Sequence, residues 1–338
     1  MSTIHAGLRS TKAGGAGGVF RRDGRGPWER TLERDVQAIT PDPRDPDVVL
    51  AGTADGAYRS TDRGRSWRRV KGVDQQVWSI TFDPADARTV YAGASPVAVY
   101  RSEDSGETFR KLPDPTLTER VSMSFGCRVM RIAAHPTRRG ALYAALEVGG
   151  AMRSDDGGES WVDCAEDLAR LATLPHLKSA IVSGNDAEGM LDGHAVATSP
   201  AQPERVYLAT RMGLFSSDDQ GRTWQDMGVG KVSAHTYGRD LRVSPHDPNV
   251  MYAALSPAFS SAAGSLWRSG DAGRNWARFD KTSPTNTAMA VALHPGDARC
   301  VWFAAKTGAV FGTADGGENW ETLALPEGAG EVFALACG

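Results

Sequence analysis

The sequence predicts an all-β fold: a single seven-bladed β-propeller of four-stranded antiparallel blades, closed where the C-terminal strand joins the N-terminal blade. Three observations predict it. A turn motif recurs along the chain, a proline keeps a constant distance from an apolar strand, and both chain ends lie in mid-repeat. Self-similarity at a fixed period indicates a repeat architecture. The 338 residues are therefore expected to form one domain.

The turn motif has the pattern Ser/Thr-x-Asp-x-Gly-x-polar-aromatic. Its copies occupy residues 60–67, 102–109, 154–161, 217–224, 269–276 and 313–320, and a degenerate copy at 21–28 keeps only Asp23 and Trp28. Aspartate accepts hydrogen bonds from its own loop, and glycine supplies the positive φ that the turn needs. Each copy predicts the hairpin between the third and fourth strands of a blade. Because these aspartates repeat once per blade, we interpret them as turn residues and not as catalytic acids.

The proline landmark predicts the first two strands of each blade. The proline and the centre of the following strand are seven residues apart in six repeats, namely Pro43/Leu50, Pro84/Tyr91, Pro136/Tyr143, Pro200/Tyr207, Pro245/Tyr252 and Pro295/Trp302. The N-terminus starts on a second strand, and Glu331–Ala336 matches the first strand Gln76–Thr81. The last strand therefore completes the first blade, which removes an exposed sheet edge. The predicted blades are 1–33 with 331–338, 34–71, 75–112, 127–164, 192–227, 237–280 and 286–323.

At this point the chain resembles the BNR/Asp-box propellers. That group includes sialidases, xyloglucan-degrading glycosidases, sortilin-type receptors and a photosystem II assembly factor. The resemblance implies that the first strand of each blade lines a central channel. It also implies that the fourth-to-first and second-to-third loops share one face, here called the loop face, opposite the proline turns and Asp boxes. The chain lacks the Phe-Arg-Ile-Pro segment of the sialidases, and it has seven blades where they have six.

Polar residues gather where the predicted first strands reach the loop face. Histidine beside a carboxylate is typical of general acid–base chemistry, and titratable groups in a concavity favour a site. The alternative is a buried hydrogen-bond network that fixes the register of the blades. The predicted catalytic candidates are His194, Asp192, Asp240, Tyr237 and His235.

A second group of residues is predicted to bind ligand at the same mouth of the channel. Arginine binds carboxylate, sulfate or phosphate groups in a bidentate manner. The alternative for these arginines is salt bridging to Glu147, Asp192 or Asp240. The predicted ligand-binding residues are Arg128, Arg211, Arg239, Glu147, Gln76 and Lys306.

Three long insertions are predicted to open onto the loop face, at 165–191, 113–126 and 256–264. In the first, Leu168, Leu171 and Leu174 have the spacing of a short amphipathic helix. Loops of this length in a compact domain usually build or cover a pocket.

These features favour a glycosidase-like hydrolase acting on a small anionic or carbohydrate substrate. The alternative is a non-catalytic binding or assembly scaffold with a protein partner. A net charge of −3 gives no reason to expect nucleic acid, no apolar run predicts a membrane span, and we expect no metal and no cofactor. Four well-separated cysteines and the absence of a signal-peptide pattern predict a cytoplasmic protein.

Overall fold

Seven four-stranded antiparallel sheets follow one another within residues 2–86 and 88–338, which the structure, a computed structural model, describes. The innermost strand of each sheet packs against the innermost strand of the next, and the last returns to the first. The ring is therefore closed, and the predicted seven-bladed propeller is confirmed.

The strands of each blade run outward from the central channel. Blade 1 consists of β28 (Glu331–Cys337), β1 (Thr3–Arg9), β2 (Gly18–Asp23) and β3 (Glu29–Leu32). Blade 2 consists of β4 (Val36–Pro41), β5 (Val49–Thr53), β6 (Gly56–Ser60) and β7 (Arg68–Arg69). Blade 3 consists of β8 (Gln76–Phe82), β9 (Val90–Ser95), β10 (Ala98–Ser102) and β11 (Arg110–Lys111). Blade 4 consists of β12 (Arg128–Ala134), β13 (Leu142–Glu147), β14 (Gly150–Ser154) and β15 (Val162–Asp163). Blade 5 consists of β16 (Gly193–Ser199), β17 (Gln202–Thr210), β18 (Gly213–Ser217) and β19 (Gln225–Asp226). Blade 6 consists of β20 (Tyr237–Val243), β21 (Met251–Ser256), β22 (Ser265–Ser269) and β23 (Ala277–Arg278). Blade 7 consists of β24 (Ala288–Leu293), β25 (Val301–Ala305), β26 (Ala309–Thr313) and β27 (Glu321–Ala324).

Blade 1 joins the two ends of the chain. β28 pairs antiparallel with β1, so that Ala336 faces His5. Thr3 and Gly338 exchange two backbone hydrogen bonds, of 2.6 and 3.0 Å. β28 thus pairs with the edge of β1, which would otherwise be exposed. This pairing is the one that the mid-repeat chain ends predict.

The Asp boxes form the predicted hairpins between third and fourth strands. In the copy at 60–67, Asp62 Oδ1 accepts hydrogen bonds from the backbone N–H groups of Arg65 and Ser66, at 3.0 and 2.9 Å. Ser60 Oγ accepts one from Gly64 N–H at 2.8 Å. Arg63 and Gly64 have φ of 59° and 76°. Two successive left-handed residues therefore reverse the chain, and only the second is glycine.

Every innermost strand carries a β-bulge at the same level. The register shifts by one residue between the first two strands of all seven blades. A bulge leaves one residue unpaired and re-aims its side chain. The seven unpaired residues, here called the bulge ring, are Gln37, Trp78, Met130, His194, Arg239, Met289 and Phe333.

The insertion at 165–191 contains two short helices, α1 (Glu166–Leu171) and α2 (Glu188–Leu191). Leu168 and Leu171 are buried on α1 as predicted. The placement of Leu174 in the same helix is wrong: Leu174 lies beyond its end and is exposed, because Pro175 disfavours helical backbone at the residue before it. None of the helices in the described part of the chain is long and apolar enough to cross a membrane.

Candidate functional site

Asp192, His194 and Arg211 form one buried network where blade 5 enters the channel. Asp192 Oδ2 accepts hydrogen bonds from Arg211 Nε and Nη2, at 2.9 and 2.6 Å. His194 Nε2 lies 3.2 Å from Asp192 Oδ1, and His194 Nδ1 lies 2.8 Å from the carbonyl oxygen of Gly238. The structure therefore brings together three of the residues predicted for the site, and each of them has its partner inside the protein.

The protonation of this network does not suit acid–base catalysis. Both ring nitrogens of His194 already lie beside protein oxygens, those of Asp192 and Gly238. The charges of His194 and Arg211 outweigh the effect of burial and hold the pKa of Asp192 well below its usual range. A carboxylate that stays ionised and is already bound does not readily donate or take up a proton near neutral pH. The network fits the alternative of a register-fixing cluster.

Asp240, predicted as a catalytic candidate, lies deeper in the channel. Its Oδ1 lies 3.1 Å from Arg131 Nη2 and its Oδ2 3.2 Å from Arg242 Nε. The backbone N–H groups of Leu241 and Val291 also donate to it, each at 2.9 Å. With both oxygens occupied and a side chain 1% exposed, Asp240 holds blades 4, 6 and 7 together, and this placement favours a structural role.

Tyr237 and His235 lie on different sides of the start of blade 6. The Tyr237 ring packs against His194, with centroids 4.8 Å apart, and burial raises the pKa of its hydroxyl. His235 instead points outward, with Nδ1 3.4 Å from Ser265 Oγ on the third strand. Since neighbouring strands lie about 5 Å apart, His235 is separated from the channel by about two strand spacings. The predicted convergence of His235 with His194 is therefore wrong.

Three predicted ligand-binding residues are engaged at the mouth. Arg128 pairs with Glu147 at 2.5 Å, and its guanidinium lies over the rings of Phe125 and Trp78. Lys306 Nζ lies 3.4 Å from Glu331 Oε1. Gln76, the fourth predicted residue of this part of the mouth, is half-buried at the start of β8 and faces Ser95 across the blade.

Two arginines of the mouth have no such partner. Arg239 is 8% exposed, Arg9 is half-buried, and no described residue forms an ion pair or hydrogen bond with either guanidinium group. Glu147, Asp192, Asp240 and Glu331 bind other cations, and Asp35 accepts hydrogen bonds from Ser10. Both guanidinium groups lie over the ring of Phe333, with Cζ 4.9 Å (Arg9) and 5.7 Å (Arg239) from its centroid. Burial lowers the pKa of Arg9, and the charge of Arg128 lowers it further.

Two neutral hydrogen-bonding groups of the bulge ring are also unsatisfied. The amide nitrogen and oxygen of Gln37 and the indole Nε1 of Trp78 are buried, and none of these atoms has a hydrogen-bond partner among the described residues. Buried polar groups normally find a partner. Four residues therefore present unused hydrogen-bonding capacity at one level of the channel, and we call Arg9, Gln37, Trp78 and Arg239 the open cluster.

Sequence analysis places only Arg239 of the open cluster among the site residues. Aligning the first strands does put Gln37, Trp78 and Arg239 in one column, which is the signal that could have found them. The alignment does not show that the side chains of Gln37, Trp78 and Arg239 are unpaired, because pairing depends on whether side chains of other blades contact them.

The 113–126 insertion encloses a separate cavity of about 550 Å³ beside the mouth. Its wall includes Val97, Leu117, Val121, Met123 and Phe125. Phe125 also contacts Arg128, so the cavity adjoins the mouth, and the predicted role of this insertion in building a pocket fits its position.

Within residues 2–86 and 88–338, no three His, Cys, Asp or Glu side chains lie close enough together to hold a metal ion.

The fold defines the class of protein: a seven-bladed β-propeller similar to sortilin, xyloglucanase and YCF48 propellers. The model of the Sortilin-Vps10 family (sortilin, neurotensin receptor 3) matches residues 55–179, which is less than half of the chain. The resemblance predicted from the repeats is confirmed at this level.

Several xyloglucanases are similar to this chain in sequence. The chain is 25% identical to a probable oligoxyloglucan-reducing end-specific xyloglucanase of Neosartorya fischeri over 226 residues, which is 60% of this chain and 24% of that protein. It is 27% identical to xyloglucanase Xgh74A of Acetivibrio thermocellus over 165 residues, 44% of this chain and 17% of that protein. The chain thus matches a quarter or less of the length of these relatives.

Solved structures show the same fold. The GH74 xyloglucanase of Xanthomonas campestris superposes with a TM-score of 0.62 at 22% identity, over 85% of this chain and 45% of that chain. YCF48 bound to D1 peptide superposes with a TM-score of 0.57 at 15% identity, over 93% of this chain and 87% of that chain. At these identities the likeness establishes the fold alone.

Proposed function

We propose that this chain is a ligand-binding propeller whose channel mouth takes the carboxylate of a small anionic ligand, such as a uronic acid. The observation that carries the proposal is the pair of unpartnered arginines over Phe333. Arg239 is buried and forms no ion pair with any residue that the structure describes, and burying an uncompensated charge is costly. A bound anion would supply that counter-charge.

The chemistry of the open cluster indicates which anion fits. Guanidinium groups bind planar carboxylates through two parallel hydrogen bonds. The Gln37 amide and the Trp78 N–H add neutral donors and an acceptor at the same level, which suits hydroxyl groups beside a carboxylate. Phe333 is half-buried beneath the two guanidinium groups and adds apolar surface at the same level. A sugar acid combines all three features.

Glycoside hydrolysis is the second candidate, and the similarity to xyloglucanases favours it. Glycosidases usually need a protonated carboxyl group beside a second carboxylate. Here Glu147 and Asp192 bind arginines, Glu331 faces Lys306, and Asp35 accepts hydrogen bonds from the N–H and hydroxyl of Ser10. Each of these carboxylates is already engaged by a cation or by hydrogen-bond donors of the protein, so the arrangement supports binding better than hydrolysis.

A protein partner is the alternative occupant, since a YCF48 structure of the same fold holds a peptide. Ile181 and Val182 are exposed at the tip of the long insertion. The N–H groups of Ile181, Val182 and Ser183 all donate to Glu188 Oε2, which fixes the tip.

The predicted cytoplasmic location stays a prediction.

The experiment is calorimetric titration with glucuronate, galacturonate oligosaccharides and neutral xyloglucan oligosaccharides. We expect the acidic sugars to bind, and Arg239→Ala to weaken them about 10- to 100-fold, which corresponds to about 1.4–2.8 kcal/mol. Arg239→Lys should retain part of the affinity because it keeps the charge. The matched control is Arg274→Ala, an exposed arginine of an Asp box on the opposite face.

Three outcomes distinguish the candidates. Equal affinity in wild type and Arg239→Ala would contradict the proposal. Turnover of the neutral oligosaccharides, lost in Glu147→Gln but kept in Arg239→Ala, would favour the hydrolase instead. Binding of acidic sugars without turnover would support the function proposed here.

A further inference from the structure

The central channel opens into cavities at the end opposite the mouth, on the face of the proline turns. A cavity of about 470 Å³ there is lined by the last residues of the first strands of blades 2 to 6. An adjoining cavity of about 230 Å³ shares Thr40, Pro41, Arg242 and Val243 with it. We call the two together the vestibule.

One level of the vestibule wall is made mostly of small side chains. The residue after the aliphatic core position of each first strand is small in every blade but one: Thr40, Thr81, Ala133, Ala197, Ala292 and Ala336. The hydroxyl groups of Thr40 and Thr81 donate to backbone carbonyls of the next blade, at 2.9 and 2.6 Å. Since these hydroxyl groups are already bonded within the wall, the surface is largely apolar.

The exception in this position is Arg242, and it stands next to Arg131. Both line the vestibule, and both bind the same carboxylate, Asp240. Their side chains are 24% and 34% exposed, while that of Asp240 is 1% exposed. One ionised carboxylate faces two guanidinium groups, so the end of the channel has an excess positive charge. The proximity of Arg242 adds to burial in lowering the pKa of Arg131 to about 10.

An apolar cavity continues from the vestibule across the proline face. It measures about 500 Å³ and shares Pro41 and Pro43 with the first cavity. Its wall includes Pro46, Pro245 and Leu293. A ligand whose charge lies against Arg131 and Arg242 would therefore have an apolar path leading away from them.

We propose that the vestibule binds a monocarboxylate with an apolar tail, such as a medium-chain fatty acid, with the carboxylate on Arg131 and Arg242 and the tail along the prolines. The charge excess selects an anion, and the apolar walls select an apolar tail. The proposal does not depend on the site at the mouth, which lies at the opposite end of the channel.

The experiment is a calorimetric titration of the full chain with octanoate, and with octanol and octylamine as neutral and cationic counterparts. We expect octanoate to bind at least tenfold more tightly than either counterpart. Arg242→Ala, which leaves Arg131 and two backbone N–H groups on Asp240, should weaken octanoate at least tenfold, and Arg242→Lys should weaken it less. Arg239→Ala, at the mouth, should change it less than twofold.

Ala133→Phe fills the vestibule without removing either guanidinium group and provides a second test. It should abolish octanoate binding while leaving the affinity for glucuronate at the mouth unchanged. Equal binding of octanoate and octanol, unchanged binding in Arg242→Ala and Ala133→Phe, or loss of binding in Arg239→Ala would each overturn the proposal. A peptide with a free C-terminus that binds where octanoate does not would overturn it too.

Discussion

At the scale of single residues, the channel separates its arginines into bound and unbound groups. Arg128, Arg211 and Arg131 each bind a carboxylate, whereas Arg239 and Arg9 lie over Phe333 and pair with no carboxylate within residues 2–86 and 88–338. A cation over an aromatic face gains about 0.5–2 kcal/mol, which is less than the cost of burying a charge. The unbound arginines are thus held in place and remain available to an anion.

Asp192 provides the residue-scale prediction. Asp192→Ala leaves Arg211 and His194 without their counter-charge, and breaking a buried ion pair typically costs about 3 kcal/mol or more. We expect the free energy of unfolding to fall by about that amount in urea titrations. The control is Asp186→Asn, which removes the exposed pair with Lys178 and should cost less than about 1 kcal/mol. A similar loss in both variants would contradict the structural role of the Asp192 network.

At the scale of the element, the strand β1 joins the closing blade to its neighbour through His5. His5 is 2% exposed, and its Nε2 donates to the carbonyl oxygen of Arg63 in the Asp box of blade 2, at 2.9 Å. Burial lowers the pKa of His5 to about 4, outweighing this hydrogen bond. The ring is therefore neutral in the folded protein near neutral pH.

The lowered pKa of His5 predicts that the contact between blades 1 and 2 is destabilised in acid. Because the folded pKa lies below the unfolded value of about 6.5, the unfolded chain takes up the proton first. The stabilisation is complete above about pH 6.5 and is lost as the pH falls towards 4, by about 3 kcal/mol in total. Urea titrations at pH 7 and 4.5 should show this loss in the wild type, and His5→Tyr, the residue found at this place in four other blades, should show less of it. An equal pH dependence in both would contradict the assignment.

At the scale of the whole molecule, ring closure by β28 determines whether the fold is cooperative. Deleting 331–338 leaves the edge of β1 unpaired, and an unpaired edge invites association with other chains. We expect this variant to self-associate in light scattering and to lose the single thermal transition. The control is a circular permutant in which 331–338 precede residue 2 through a short glycine linker, since Thr3 and Gly338 are already hydrogen-bonded. A monomeric, cooperatively folding deletion variant would contradict the closure.

The repeats predict the ring well because each blade uses the same local chemistry. The boxes predict the outer hairpins, the prolines predict the first two strands, and Glu331–Ala336 predicts the closing strand. The bulges at Gln37, Trp78 and Arg239 are not visible in the periodicity, because these strands are buried on both faces and the one-residue shift leaves no clear break in the apolar pattern. Which arginine binds which carboxylate depends on side chains that cross from blade to blade, and for this reason sequence analysis groups Arg128 with Arg239 although only the first is paired.

We propose that Arg239 and Arg9 bind a carboxylate at the mouth, and a crystal structure with a bromine-labelled sugar acid would show this contact itself. We predict an anomalous bromine signal beside the bulge ring and a carboxylate within hydrogen-bonding distance of Arg239. Crystals of Arg239→Ala grown with the same compound should lack both. Ligand bound elsewhere in the wild type, with Arg239 still in contact only with Phe333, would contradict the claim.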